Sequence, residues 1–235
     1  MKAPLPRRLL AEFLGSAFLT TAVIGSAIAA SSLSPGDTGL QLFETAAATA
    51  AALFTIILMF GPVSGGHFNP VVSAVDAAFG GLRWRHALAY FPTQIAGCIF
   101  GAVVANLMFD LTAMSISDTH RATAPHLFSE VIATLGLVVV IFSLARTRRG
   151  DVAPAAVGAY IGAAYFFTSS TSFANPAIDV GRMFSDTFAG IAPASVPGFV
   201  IAQAIGGALA FFLIRVLYPD LTPDEAAGAV LPSRS

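Results

Sequence analysis

Two Asn-Pro pairs carry the most chemistry in this chain: Asn69-Pro70 within GPVSGGHFNPVVSAV and Asn175-Pro176 within TSSTSFANPAIDVGR. Proline has no backbone N–H and a φ suited to the first helical position, and asparagine is a favoured N-cap, so each pair reads as a helix start. The runs that follow, Val71 to about Phe79 and Ala177 to about Phe184, give only a couple of turns. At ~1.5 Å per residue, each spans about half a bilayer. Two such half-helices inserted from opposite faces bring their positive dipole ends together at the centre. Asn69 and Asn175 then offer side-chain N–H groups to a passing oxygen, at a point that repels cations and admits neutral hydrogen-bonding solutes. One Asn-Pro alone would be an ordinary loop-to-helix cap; two, matched within repeats, favour a pore.

Glu12 and Glu130 fall inside apolar runs, where a carboxylate is expensive unless donors surround it. Their expected role is structural, accepting hydrogen bonds from the non-helical backbone beside each Asn-Pro. The sharper alternative is a proton relay in a coupled transporter. One glutamate per half, with no intramembrane basic partner, favours the structural role. His67 is expected to orient its loop by hydrogen bonding, since no companion stands at metal-ligand spacing. Gln94 and Gln203 are expected to link helices rather than line the pore. No nucleophile triad, phosphate loop or metal cluster supports an enzyme, and no cofactor is implied.

These residues need elements to hold them. Of 235 residues, 56% are hydrophobic and 11% charged, against about 25% charged in soluble domains. With a mean hydropathy of +0.78, the chain needs a bilayer as its solvent. The net charge of −1 gives no reason to invoke nucleic acid, and the lone Cys98 excludes an intrachain disulfide framework. Six apolar stretches, roughly 8–30, 40–61, 86–109, 127–145, 152–170 and 195–218, approach the ~20 residues that cross a hydrocarbon core. The first is read as a retained span: it is long for a signal core and carries Glu12. Gly61–Gly80 and Ser169–Asp186 are too polar and short to cross, yet too apolar for ordinary loops, so both are expected to be re-entrant.

With the N-terminus inside, Lys2, Arg7, Arg8, Arg83, Arg85, Arg146, Arg148, Arg149, Arg215 and Arg234 face the cytoplasm, leaving Arg121 and Arg182 outside. Both termini are then cytoplasmic. AEFLGSAFLTTAVIG answers SEVIATLGLVVVIFS at 129–143, Glu12 answers Glu130, and Asn69-Pro-Val answers Asn175-Pro-Ala. Three spans per half invert the second half relative to the first. The expected fold is an all-α membrane protein of six transmembrane helices plus two re-entrant half-helices. It forms one channel domain over 1–235, with repeats at about 7–110 and 127–218 and a cytoplasmic tail at 219–235. The 110–125 loop, with His120, Arg121 and nearby His126, is placed to fold over the external mouth.

AEFLG at 11–15, SGGHFNP at 64–70 and FANPA at 173–177 together resemble the major intrinsic proteins, the aquaporins and glycerol facilitators. The likeness covers about residues 7–218. It implies the aquaporin fold, one pore per subunit, a homotetramer in membrane lipid, and loop support by Glu12 and Glu130. The departures speak to the solute. Val71 stands where the family usually has Ala, and Ile178 where most members carry a filter arginine. The family's spacing puts the remaining filter positions at Thr49, Ala163 and Ser172. That filter is expected to be wide, uncharged and weakly polar. Arg182, ~6 Å further along the half-helix, is not expected to substitute unless the loop is rearranged. The combination is similar to bacterial aquaporins associated with arsenic resistance, implying a plasma-membrane channel for arsenite and other metalloid hydroxides, glycerol-like polyols and water. The alternatives are a water-selective channel with incidental solute leak, a proton-coupled transporter, and a structural junction protein. Because Cys98 is placed on the third span away from the filter, mercury is expected to inhibit poorly; strong inhibition of water flux in proteoliposomes would contradict that placement.

Overall fold

The structure, a computed structural model, describes residues 3–219; Lys2, Arg234 and the tail from residue 220 lie outside the described residues. Eight α-helices follow one another among them: α1 (Leu5–Leu33), α2 (Thr38–Ser64), α3 (Pro70–Phe79), α4 (Trp84–Met108), α5 (Ala124–Arg146), α6 (Ala153–Phe167), α7 (Pro176–Arg182) and α8 (Val196–Leu217).

Local chemistry sets most of the boundaries. Asp37 caps α2 by accepting from the Leu40 N–H, and Gly65 ends it in the left-handed region at φ 105°. Asn69 and Asn175 cap α3 and α7, each followed by proline in the first turn. Gly80 closes α3 at φ 86°. Thr123 caps α5.

Helices α1, α2, α4, α5 and α8 are long and apolar enough to cross a membrane. The expected span 152–170 is shorter: α6 has 15 residues, preceded by a 3-10 turn at Gly150–Val152. It ends at Phe167 because the chain must leave the helix to form the second non-helical loop. Conversely, α2 runs on to Ser64, taking Gly61–Ser64 out of the expected re-entrant segment. Pro62 is tolerated there because it forfeits a single ladder bond close to the helix end.

The two halves repeat one arrangement. α1 packs on α2 and α4; α5 packs on α6 and α8. The half-helices α3 and α7 both lie against α4 and α8, and they touch each other. Close approach of the long helices depends on missing side chains. A Cβ on Gly97 would stand 2.4 Å from the Phe13 carbonyl oxygen, and one on Gly101 2.3 Å from that of Ala17, both across the α1–α4 contact. Gly206 has the same relation to Val131 across α5–α8, at 2.4 Å. Backbones can approach this closely only where small residues line the crossing. Accordingly, Gly97→Val is expected to cost at least ~1–3 kcal/mol through overpacking, seen as a lowered melting temperature in detergent. Gly39→Ala, where a Cβ meets only the Asp37 side chain at 3.5 Å, is expected to leave that temperature unchanged.

Candidate functional site

Between α2 and α3 the chain turns through Gly65, Gly66 and Phe68 in the left-handed region, at φ 105°, 65° and 49°. Between α6 and α7 the matching positions are Thr171, Ser172 and Ala174, at φ 63°, 51° and 47°. Glycine enters this region without strain, whereas a residue with a Cβ costs about 1–2 kcal/mol. The second loop therefore carries more strain, and its partners must hold it. The turns aim successive backbone N–H groups to one side, forming a concavity suited to an anion.

A glutamate fills each concavity. Glu12 Oε1 accepts from Ser64 Oγ at 2.6 Å and the His67 N–H at 3.0 Å; Oε2 accepts from the Phe68 N–H at 2.7 Å and Gln94 Nε2 at 2.7 Å. Glu130 repeats the set. Its Oε1 accepts from Ser170 Oγ at 2.6 Å and the Phe173 N–H at 2.9 Å, and its Oε2 from the Ala174 N–H at 2.8 Å and Gln203 Nε2 at 2.7 Å. Both carboxylates are fully buried. Gln94 and Gln203 reach these glutamates across helices and also touch Ser73 and Asp179 respectively.

The two tips then hold each other. Asn69 Oδ1 accepts from the Val71 N–H at 2.9 Å, while Nδ2 donates to the Ala174 carbonyl at 2.7 Å. Asn175 Oδ1 accepts from the Ala177 N–H at 3.0 Å, and Nδ2 donates to the Phe68 carbonyl at 2.8 Å. One N–H of each amide is thus committed to the opposite loop. An amide nitrogen has two, so each retains one that a solute oxygen can take.

A cavity borders this junction. Thr49, Gly66, His67, Asn69, Ser172 and Asn175 give it polar groups; the rest is mainly apolar, including Leu53, Ile57, Val157 and Ile161. Thr49, Ser172 and Ile178 stand on its lining where the sequence places them. Ala163 does not: it is exposed on the outer face of α6. The helical phase explains the correction. Ile161 and Tyr165, four residues apart, share the inner face and line the cavity, whereas Ala163 between them points away. Tyr165 Oη lies 3.1 Å from Thr49 Oγ1. Nor is the lining uncharged, since Arg182 belongs to it.

His67 also lines the cavity, with Nδ1 3.0 Å from Ser73 Oγ and Nε2 3.5 Å from Asp76 Oδ2. Cys98 is fully buried in α4 against the Ser16 carbonyl and is absent from the lining. Ser64 and Ser170 escaped the sequence reading, although both stand five residues before their asparagine, a repeat signal as regular as the glutamates. Tyr165 had no such signal, because only the packed phase of α6 turns it inward.

Membrane-length helices, two half-helices meeting at their capped N-termini and a lumen between them define a helical channel. The chain belongs to the major intrinsic protein family, matching it over residues 1–188. It is 45% identical to the aquaglyceroporin AqpS of Rhizobium meliloti (strain 1021) over 93% of each chain. It is 32% identical to aquaporin NIP1-4 of Oryza sativa subsp. japonica, over 88% of this chain and 77% of that one. In fold it is similar to the aquaglyceroporin of Plasmodium falciparum: TM-score 0.73 and 21% identity, covering 92% of this chain and 98% of the other. It is accordingly an integral membrane channel for water and small solutes, not an enzyme.

Replacing either buried carboxylate by its amide turns one acceptor oxygen into a donor facing N–H groups. Glu12→Gln and Glu130→Gln are each expected to cost about 1–3 kcal/mol in unsatisfied donors. The checks are thermal melting in detergent and water flux in proteoliposomes. Glu130→Gln is expected to be the more damaging, because its loop carries the strain at Thr171, Ser172 and Ala174.

Proposed function

We propose that this channel conducts small uncharged polyhydroxylated solutes passively: trivalent metalloid hydroxides such as arsenite, glycerol-like polyols, and water. The observation that carries this reading is the mixed polar and aliphatic lining of the lumen. Thr49, Ser172, Asn69, Asn175 and His67 contribute hydroxyl, amide and imidazole groups to it, and Leu53, Ile57, Val157 and Ile161 contribute aliphatic surface. A polyol matches such a lining by pairing its hydroxyls with the polar groups and its carbon with the aliphatic ones, so its desolvation is offset without a tight site. Ile178, where a filter arginine is usual in the family, leaves that position without a fixed cation. Arsenite at neutral pH is mostly an uncharged trihydroxide and presents the same donors and acceptors. The name of the AqpS relative points to the same polyol class.

Orientation with both termini cytoplasmic is supported by Arg7, Arg8, Arg83, Arg85, Arg146, Arg148, Arg149 and Arg215, all at or beside helix ends on the N-terminal side of the bundle. A homotetramer in a bacterial plasma membrane is carried over from the family. A proton-coupled transporter is disfavoured, since each buried glutamate already meets four donors and neither lines the lumen. A water-selective pore draws support from Tyr165, which is bulkier than the Ala163 it displaces from the lining.

Stopped-flow measurements on proteoliposomes separate these. Osmotic response to glycerol together with arsenite uptake is expected; water flux alone would establish the water-selective alternative. Ile178→Arg is expected to reduce glycerol and arsenite flux by about tenfold, the scale of a ~1.4 kcal/mol barrier, and water flux less. Equal flux of all three before and after the change would place Ile178 outside the permeation path.

A further inference from the structure

Arg182 ends α7 one turn beyond Ile178 and is 4% exposed, yet it stands on the lining beside Thr49, Tyr165, Ser172 and Ile178. Three contacts fix it there. Its Nε donates to the Ala189 carbonyl, its Cζ lies 3.4 Å from the Phe173 ring centre, and its own carbonyl accepts from the Ile191 N–H at 3.4 Å. A second guanidinium shares the anchor. Arg121 donates from Nε to the Gly190 carbonyl at 2.7 Å and from Nη2 to the Phe188 carbonyl at 3.0 Å, with Cζ 5.5 Å from the same Phe173 ring. Among the described residues no carboxylate oxygen lies within 4.0 Å of either guanidinium. Asp179, one turn inward on α7, is fully buried and turned to Gln203.

We propose that Arg182 is the charge-selecting residue of this channel, acting one helical turn outside the position of Ile178 with Arg121 behind it. Selection by size and rejection of cations are thereby divided between adjacent turns of α7. The uncharged turn at Ile178 admits bulkier neutral solutes, while the charge at Arg182 raises the energy of any cation entering the mouth. At an effective dielectric near 20, a positive charge about 6 Å from a cation changes its entry by on the order of a hundredfold. Solvent screening at the mouth reduces this, so tenfold is the smaller effect expected. The inference does not need the polyol reading, because it concerns charge and is measured against water flux.

The test uses full-length protein in proteoliposomes, with potassium and proton leak divided by water flux. Arg182→Met, which keeps an unbranched stem beside Phe173, is expected to raise that ratio tenfold or more. Arg182→Lys is expected to keep it within about threefold of the parent. Arg182→Cys provides a control free of folding differences. Modification with a cationic methanethiosulfonate is expected to lower the cation leak, and an anionic one to raise it, while the parent, whose Cys98 is buried, responds to neither. An unchanged ratio in Arg182→Met, or equal responses to the two reagents in Arg182→Cys, would overturn the proposal. Absence of glycerol flux in the parent would overturn the polyol reading alone.

Discussion

Backbone that leaves a helix at membrane depth exposes N–H and C=O groups that no water or lipid can satisfy, and this chain does so twice, near one point. Glu12 and Glu130 answer the demand on the donor side, each collecting two backbone N–H groups, a serine hydroxyl and a glutamine amide. Asn69 and Asn175 answer it on the acceptor side, each capping its own helix and donating to a carbonyl of the opposite loop. Everything else in the fold keeps these groups aligned. The glycines at the α1–α4 and α5–α8 crossings let the helices bearing glutamate and glutamine come close enough to meet.

The reciprocal asparagine bonds limit what the centre of the pore can do. With one amide proton spent across the junction, each asparagine has one left, which orients a passing oxygen without binding it strongly. Discrimination between solutes must then arise elsewhere along the lumen. In the proposed reading the α7 wall supplies it through a side chain at each turn, Ile178 and then Arg182, both of which line the cavity. Asp179 between them faces Gln203 and the protein interior, because a half-helix presents neighbouring residues in different directions.

The two halves are related in arrangement but not in detail. Where the first loop has Gly65 and Gly66 in left-handed conformations, the second has Thr171 and Ser172. The exchange strains the backbone but places a hydroxyl-bearing residue, Ser172, on the lumen opposite the contribution of Gly66. Ser73 on α3 answers Asp179 on α7, and Asp76 answers Arg182, so charge is placed differently at the two ends of the passage. Asymmetry within a repeated frame is how one scaffold builds a mouth unlike its other end.

Much of this is legible in the sequence. Asn-Pro is a local signal, since capping and the proline ring act within a few residues, and the pairing of Glu12 with Glu130 followed from the cost of a carboxylate in hydrocarbon. Membrane spans, half-helices and the repeat are likewise written in composition and order. The lining was not legible to the same degree. Ala163 was expected on the filter by counting, but the rotation of α6 puts Ile161 and Tyr165 there instead. Arg182 was not expected to stand in for the filter arginine unless its loop were rearranged; the chain folds back so that the Ala189 carbonyl holds it over Phe173, on the cavity lining. Both outcomes depend on helix phase and on a loop's return path, which are set by packing between segments distant in sequence. The sequence by itself determined that the chain is a two-fold repeated channel with capped half-helices. Only the tertiary structure decided which side chains line the cavity, because that is a property of how rotated helices pack and not of the residues taken one by one.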